Sequence, residues 1–187
     1  MEGFIEESVR ERLIIAGIEE LRERGVQNFS LRRAALSAQV SCAVPYRHFK
    51  DKNEYILEII NYICSRWQLL SREIERAYAD NGAKRGIELA VAYIRFWNAN
   101  PNFRSVLLIP KSESISGVTF EKFDEAFLRA TDEYSKEKGL SEEEAELKKY
   151  SLRALIYGTV MLMETGELKN DGDTLDLLRK KLENEFK

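Results

Sequence analysis

Helix breakers are scarce in this chain. Its 187 residues include only 3 prolines and 10 glycines, and the stretch from Asp51 to Tyr78 contains neither. A proline costs a helix interior roughly 3 kcal/mol and a glycine about 1 kcal/mol, so the scarcity leaves long segments free to be helical. In those segments apolar residues recur at three- and four-residue spacing, which is the helical period. The pattern predicts an all-α fold of about nine helices.

The first helix is expected over residues 8–24, with Val9, Leu13, Ala16, Gly17 and Leu21 on its repeating face and Gly25 as its stop. Ser30 can cap a short second helix running to Ser37, and Ser41 a short third one ending near His48. Asp51 and Glu54 form a capping-box-like start for a long helix to about Tyr78. Further helices are expected over 84–99, from Asn100-Pro101 to near Pro110, over 119–137, and from the capping box Ser141/Glu144 to Glu164. A loop is expected from Ser112 to Gly117. Asp171-Gly-Asp173 precedes the last helix.

Composition closes off several chemistries. The 2 cysteines, Cys42 and Cys64, and the single histidine, His48, supply no zinc-ligand spacing. There is no Gly-rich phosphate loop and no HExxH. No uncharged apolar run approaches the ~18 residues of a membrane span. The acidic start, Met1-Glu-Gly-Phe-Ile-Glu-Glu7, is unlike a secretory leader. A reduced, soluble, cytoplasmic protein without metal, cofactor or enzyme activity is expected.

The net charge of −3 argues at first against a nucleic-acid partner, but it is unevenly spread. Between Ser30 and Lys52 the cations Arg32, Arg33, Arg47, Lys50 and Lys52 face one anion, Asp51, a balance of +4. The remainder of the chain then carries −7. A basic segment on an acidic body can neutralise phosphates locally. Two short helices joined by a tight turn in that segment fit a helix-turn-helix, whose second helix enters the major groove.

The residues that fill this pattern resemble the amino-terminal domain of TetR-type transcriptional regulators. The resemblance runs from Arg12-Leu-Ile-Ile-Ala16 through Gly25, Phe29-Ser-Leu-Arg-Arg-Ala-Ala35 and Ala38-Gln-Val-Ser41 to Pro45-Tyr-Arg-His-Phe-Lys-Asp-Lys52. It is specific over residues 8–60 and architectural beyond them. A weaker echo lies in Tyr93-Ile-Arg-Phe96 and Asn100-Pro-Asn-Phe103-Arg104. The resemblance implies a DNA-binding domain over 1–52 and an effector-binding and dimerisation domain over 53–187. It also implies a homodimer on a pseudo-palindromic operator, most often a repressor released by a small molecule.

Within that frame Tyr46, His48 and Lys52 would contact backbone phosphates, although Tyr46 could instead pack and His48 could be structural. Phe49 reads as core. Ser30 and Ser41 are N-caps that could also touch phosphate. Arg32 could reach one, and Arg33 could do so or be solvated. Cys42, Ala43, Val44 and Arg47 are placed to face the groove, the small groups toward thymine methyls and Arg47 toward guanine. Four positions depart from the family pattern. Gln39 stands where glycine is usual in the turn, Ala34 where a larger aliphatic is typical and Arg33 where an acid is common. Pro45 lies in the first turn of the third helix, which predicts a late or distorted start.

In the body, Trp67, Tyr93, Phe96, Trp97, Phe103, Phe120, Phe123, Phe127 and Tyr157 lie on expected helices. Core packing is the default for such rings. The resemblance places an effector pocket among these helices, with a minority of the rings and Met161 or Met163 lining it, and so an apolar or aromatic ligand. Two stripes could form the dimer interface: Leu175, Leu178, Leu182 and Phe186, and Tyr150, Ala154 and Gly158. Either could instead pack inside one chain. The rival functional reading is a helical small-molecule-binding protein whose head no longer binds DNA specifically.

Overall fold

A computed structural model describes residues 8–103 and 121–187. Among them are eight α-helices and no strand: α1 (Val9–Arg24), α2 (Leu31–Ser37), α3 (Pro45–His48), α4 (Lys52–Ala77), α5 (Gly82–Ala99), α6 (Glu121–Glu137), α7 (Glu142–Glu164) and α8 (Gly172–Glu185). A single 3-10 turn, Pro101–Phe103, follows α5. The helix expected from Asn100 to Pro110 is therefore represented by this turn, and its continuation, the loop 112–117 and Phe120 lie outside the described residues.

Local signals start and stop these helices. Ser8, Ser30, Asn81, Ser141 and Asp171 each accept a hydrogen bond from a backbone N–H in the first turn of the helix they precede, which satisfies a donor the helix cannot. At Ser141 the box is complete, because Glu144 accepts the Ser141 N–H in return at 2.8 Å. Asp51 Oδ1 accepts from Glu54 N at 2.9 Å while the Glu54 carboxylate accepts the Lys50 N–H. Gly25 and Gly139 close α1 and α6 at φ values of 70° and 67°.

The chain divides into two compact units. The first contains residues 8–65 with the 3-10 turn, and the second contains Arg66–Asn100 and 121–187. The expected boundary at 52/53 and this division differ by the thirteen residues 53–65 of α4. The reason is packing: Tyr55, Ile56, Ile59, Ile60 and Ile63 are all buried, and Tyr55 binds α1 directly. Its hydroxyl donates to the Leu13 carbonyl. Its ring stacks on Phe49 at 4.1 Å and meets Phe29 edge-on at 5.2 Å. Burial pushes the Tyr55 hydroxyl well above its ordinary pKa, with the Glu20 charge adding to the effect.

Around this centre α1 turns in Leu13, Ile14, Ala16, Gly17, Ile18 and Leu21, whereas Val9 is exposed at the frayed end of the stripe. Gly17 sits where a Cβ would come within 2.6 Å of Ile59 and 3.0 Å of Tyr55, so α1 and α4 touch there without room for a side chain. Ala34 is also fully buried, on α2, which packs against α1.

In the second unit α5 is central, buried along Ile87, Leu89, Ala90, Val91, Ile94 and Trp97, and it packs against α6, α7 and α8. Two charged pairs clamp it: Arg179 on α8 to Glu88, and Arg85 to Glu133 on α6. Phe186 closes the end of α8 over Gly86, where a Cβ would lie 2.5 Å from the ring, and its ring is edge-on to Tyr134 at 5.0 Å.

Candidate nucleic-acid interface and helical-domain sites

α2, the turn and α3 form the helix-turn-helix expected from the sequence. The turn from α2 has Gln39 in the left-handed region at φ 57°. Two bonds close it, Gln39 N to Leu36 O at 3.1 Å and Val40 N to Ala35 O at 3.0 Å, the pair that defines a Schellman closure. Gln39 thus adopts the geometry for which glycine is preferred, and the turn is kept.

α3 corrects one expectation. It does not begin after Ser41 but at Pro45, and it has only 4 residues. Ser41 heads a separate turn, accepting Val44 N at its carbonyl (2.9 Å) and Ala43 N at its Oγ (3.4 Å). Pro45 has no N–H to continue those bonds back to Ser41, so it serves as the first residue of α3. Pro45 and Phe49 are buried and four residues apart, which turns the intervening Tyr46, Arg47 and His48 outward, all three exposed. Tyr46 is 65% exposed. Ser41 and Ala43 are also exposed, and Cys42 and Val44 are half-buried.

The cations of the segment are not equivalent. Arg32, Arg47 and Lys50 are exposed. Lys52 donates one hydrogen bond to the Gln27 carbonyl at 2.9 Å and keeps two further N–H donors. Arg33 is engaged: its Nε donates to Glu20 at 2.8 Å, and its terminal nitrogen to Glu20 and to the Asn28 carbonyl. Glu20 is 8% exposed and also accepts the Ser30 N–H at 3.1 Å. The hydrogen bond to Glu20 holds the Arg33 guanidinium above its ordinary pKa. Arg33 thus has a structural partner while about half of its side chain stays exposed. It compensates a buried carboxylate that the sequence pattern did not reveal, because Glu20 stands among seven other charged residues of α1.

In the second unit the structure brings together most of the selected rings. Trp67 lies 5.2 Å from Tyr93 and 5.6 Å from Phe96. Trp97 lies 5.1 Å from Phe123, and Tyr93 lies 6.0 Å from Tyr157. Phe127 is buried in α6. Phe103 is half-buried in the 3-10 turn of the first unit. Met161 is 42% exposed on α7, whereas the side of α7 that faces inward is Leu152, Ile156, Thr159, Val160 and Met163. The Met163 sulfur accepts a hydrogen bond from Asn98 at 2.8 Å.

The two stripes on the last helices separate. Leu178, Leu182 and Phe186 are buried within the chain, with Phe186 against Gly86 of α5 and Tyr134 of α6. Leu175 is half-buried and Leu177 is 67% exposed. On α7, by contrast, Tyr150 is 71% and Leu147 64% exposed, and Ala154 is exposed. Gly158 has open space where a Cβ would stand. An open cleft of about 620 Å³ between α6 and α7 is lined by Leu128, Glu146, Lys149, Tyr150, Arg153, Ala154 and Tyr157; the sequence had set Tyr150 and Ala154 in one site and Tyr157 in another. Among the described residues no group of three or more His, Cys, Asp or Glu side chains can hold a metal ion, and no helix is long and apolar enough to cross a membrane.

A three-helix head followed by a larger helical unit is the TetR-like regulator fold. No family model and no curated protein matches the sequence. Among solved structures, a TetR-like transcriptional regulator from Rhodococcus sp. RHA1 matches with a TM-score of 0.71 and 16% identity, over 98% of this chain and 96% of that one. The transcriptional regulator FadR of Bacillus subtilis, solved with stearoyl-CoA, matches at 0.68 and 16% identity, over 94% and 96%. The fatty acid degradation regulator FadR of Bacillus halodurans matches at 0.69 and 18% identity, over 95% and 93%.

Proposed function

We propose that this chain is a DNA-binding transcriptional regulator that works as a homodimer, a repressor released from a pseudo-palindromic operator by a small, largely apolar effector. The observation that carries the reading is the exposed row Tyr46-Arg47-His48 between the buried Pro45 and Phe49, presented by a closed helix-turn-helix. Hydroxyl, guanidinium and imidazole donors on one short helix suit phosphate oxygens and base edges. Residues 1–52 would read DNA and 53–187 would bind effector and partner, with α7 rather than α8 supplying the shared surface: Leu147, Tyr150, Ala154, Gly158 and Met161 recur at three- and four-residue spacing. Two regulators of the same fold are described by their fatty-acid connection, and one was solved with an acyl-CoA, which supports an effector with a long apolar part. The cytoplasm is the compartment in which such a regulator meets its DNA.

The test is a binding titration of the purified chain on its own upstream DNA. Affinity should fall steeply as salt rises, because each neutralised phosphate releases counterions. Tyr46→Phe and Lys52→Ala should weaken binding to all sequences alike, and Arg47→Ala should relax preference at one base position. Equal binding to every sequence favours the rival reading, a small-molecule-binding protein without specific DNA recognition, for which the four-residue α3 is the supporting feature.

A further inference from the structure

The second unit holds two buried tryptophans whose indole N–H groups meet different fates. Trp67 Nε1 donates to the Phe123 carbonyl at 2.8 Å. Trp97 is completely buried, and its Nε1 has no acceptor among the described residues. Buried donors are almost always paired, because an N–H taken out of water without a partner keeps the full cost of its desolvation. Its ring neighbours among the described residues are Phe123, Phe96 and Tyr93, at 5.1, 5.3 and 5.8 Å. The buried serine and threonine hydroxyls of this unit bond within their own helices. Ser71, Thr131, Ser135 and Thr159 each donate to a carbonyl three or four residues back in their own helix.

The same neighbourhood limits the charge of what could bind. Among the described residues of the second unit no charged side chain is buried, so a carboxylate among these rings would lack a counter-ion and would be expelled. A plain hydrocarbon would leave the indole N–H as it is. An uncharged oxygen acceptor satisfies it. Tyr157 belongs to both places: its ring is 6.0 Å from Tyr93, and it lines the 620 Å³ cleft, a volume within the range of ligand sites.

We propose that the effector is an apolar molecule carrying an uncharged carbonyl acceptor, a ketone, ester or thioester, and that Trp97 Nε1 donates to that oxygen. The proposal rests on the effector-domain reading above and adds the chemistry that the site selects. Tyr157 and Tyr93 move apart to admit the ligand, and Trp97 is the contact that distinguishes a carbonyl compound from a hydrocarbon of the same shape.

The test uses the full chain, isotope-labelled on nitrogen, titrated with two matched sets of probes: acetophenone, ethylbenzene and benzoate, and methyl decanoate, dodecane and decanoate. The indole resonances of Trp67 and Trp97 are assigned with Trp67→Phe and Trp97→Phe. The carbonyl member of at least one set should shift the Trp97 indole N–H downfield and leave that of Trp67 in place. It should also bind about tenfold more tightly than its hydrocarbon, the ratio one hydrogen bond supplies. In Trp97→Phe that ratio should fall to about one. The shift and the preference of the unaltered chain stand as a measurement even where a variant folds poorly. Equal binding of hydrocarbon and carbonyl, or tighter binding of the carboxylate, overturns the acceptor assignment while leaving an effector site in place. Failure of every probe to bind overturns both.

Discussion

Gln39→Gly should stabilise the protein, and the size of the gain follows from one dihedral angle. Gln39 holds φ at 57°, a region that costs an L-residue about 1–2 kcal/mol because its Cβ crowds the following carbonyl. Glycine escapes that cost but gives up about 0.5–1 kcal/mol through the greater freedom of its unfolded chain. The difference is a net gain of about 0.5–1 kcal/mol. The side chain offers nothing to set against it, because Gln39 is exposed and its recorded bonds are backbone ones, to Leu36 and from its neighbour Val40 to Ala35. Urea unfolding followed by far-ultraviolet circular dichroism is a suitable assay, with the midpoint expected to rise and the slope to stay constant. Gln39→Ala is the control and should change little, since alanine pays the same left-handed cost. Gln39→Val should destabilise, because a branched Cβ crowds further. If Gln39→Gly lowers the midpoint, the glutamine side chain is making a stabilising contact and the dihedral argument fails.

Gly17→Ala should destabilise by about 1–2 kcal/mol. The overpacking against Ile59 and against Tyr55, which is held by its hydroxyl and its stack on Phe49, outweighs the better helix propensity of alanine; a thermal melt reads this, and an unchanged midpoint would mean that α1 and α4 can separate without cost. Arg33→Ala should lower stability well beyond Arg32→Ala, because it strands the buried Glu20 carboxylate, and Glu20→Gln combined with Arg33→Ala should recover part of the loss in the same melt. Glu88 is held below its ordinary carboxyl pKa of 4.5, chiefly by hydrogen bonds from Arg179 and against the opposing effect of burial. A lowered folded value means that the contribution is fully present above that pH and is lost as pH falls through the lower folded value. Urea midpoints measured on both sides of that window should therefore drop less on acidification for Glu88→Gln than for the unaltered chain.

The three-helix head was legible in the sequence because its signals are short-range. Ser30, Ser41 and Asp51 are followed within three residues by the N–H groups they serve, and the Pro45 ring dictates the start of α3 wherever it stands. The Glu20–Arg33 pair was hidden for the opposite reason. Its partners are thirteen residues apart on different helices, and the spacing of charges on a helix says nothing about which carboxylate is turned inward. The family pattern marked Arg33 as unusual but not its partner. The difference between the two tryptophans was hidden in the same way: ring spacing offered both as core or pocket residues, and only the geometry separates the Trp97 indole from that of Trp67, which finds the Phe123 carbonyl.

The last two helices show where periodicity stops being informative. Leu178, Leu182 and Phe186 on α8 and Tyr150, Ala154 and Gly158 on α7 repeat at the same spacing, so both stripes read as a face that something must cover. Periodicity states which residues share a face and leaves open what lies against it. The cover for α8 is intramolecular, since Gly86 yields the space that the Phe186 ring occupies and Arg179 pins the helix to Glu88 on α5. On α7 the inward stripe Leu152, Ile156, Thr159, Val160 and Met163 already meets the core, so Leu147, Tyr150 and Met161 are a second apolar row with no room inside. A helix with two apolar rows has one row more than a single chain can bury. That surplus, rather than the leucine stripe of α8, is the physical reason to seek the partner subunit on α7. Leu147→Glu combined with Tyr150→Glu should then give monomers by light scattering, whereas Leu177→Glu on α8 should leave the dimer intact.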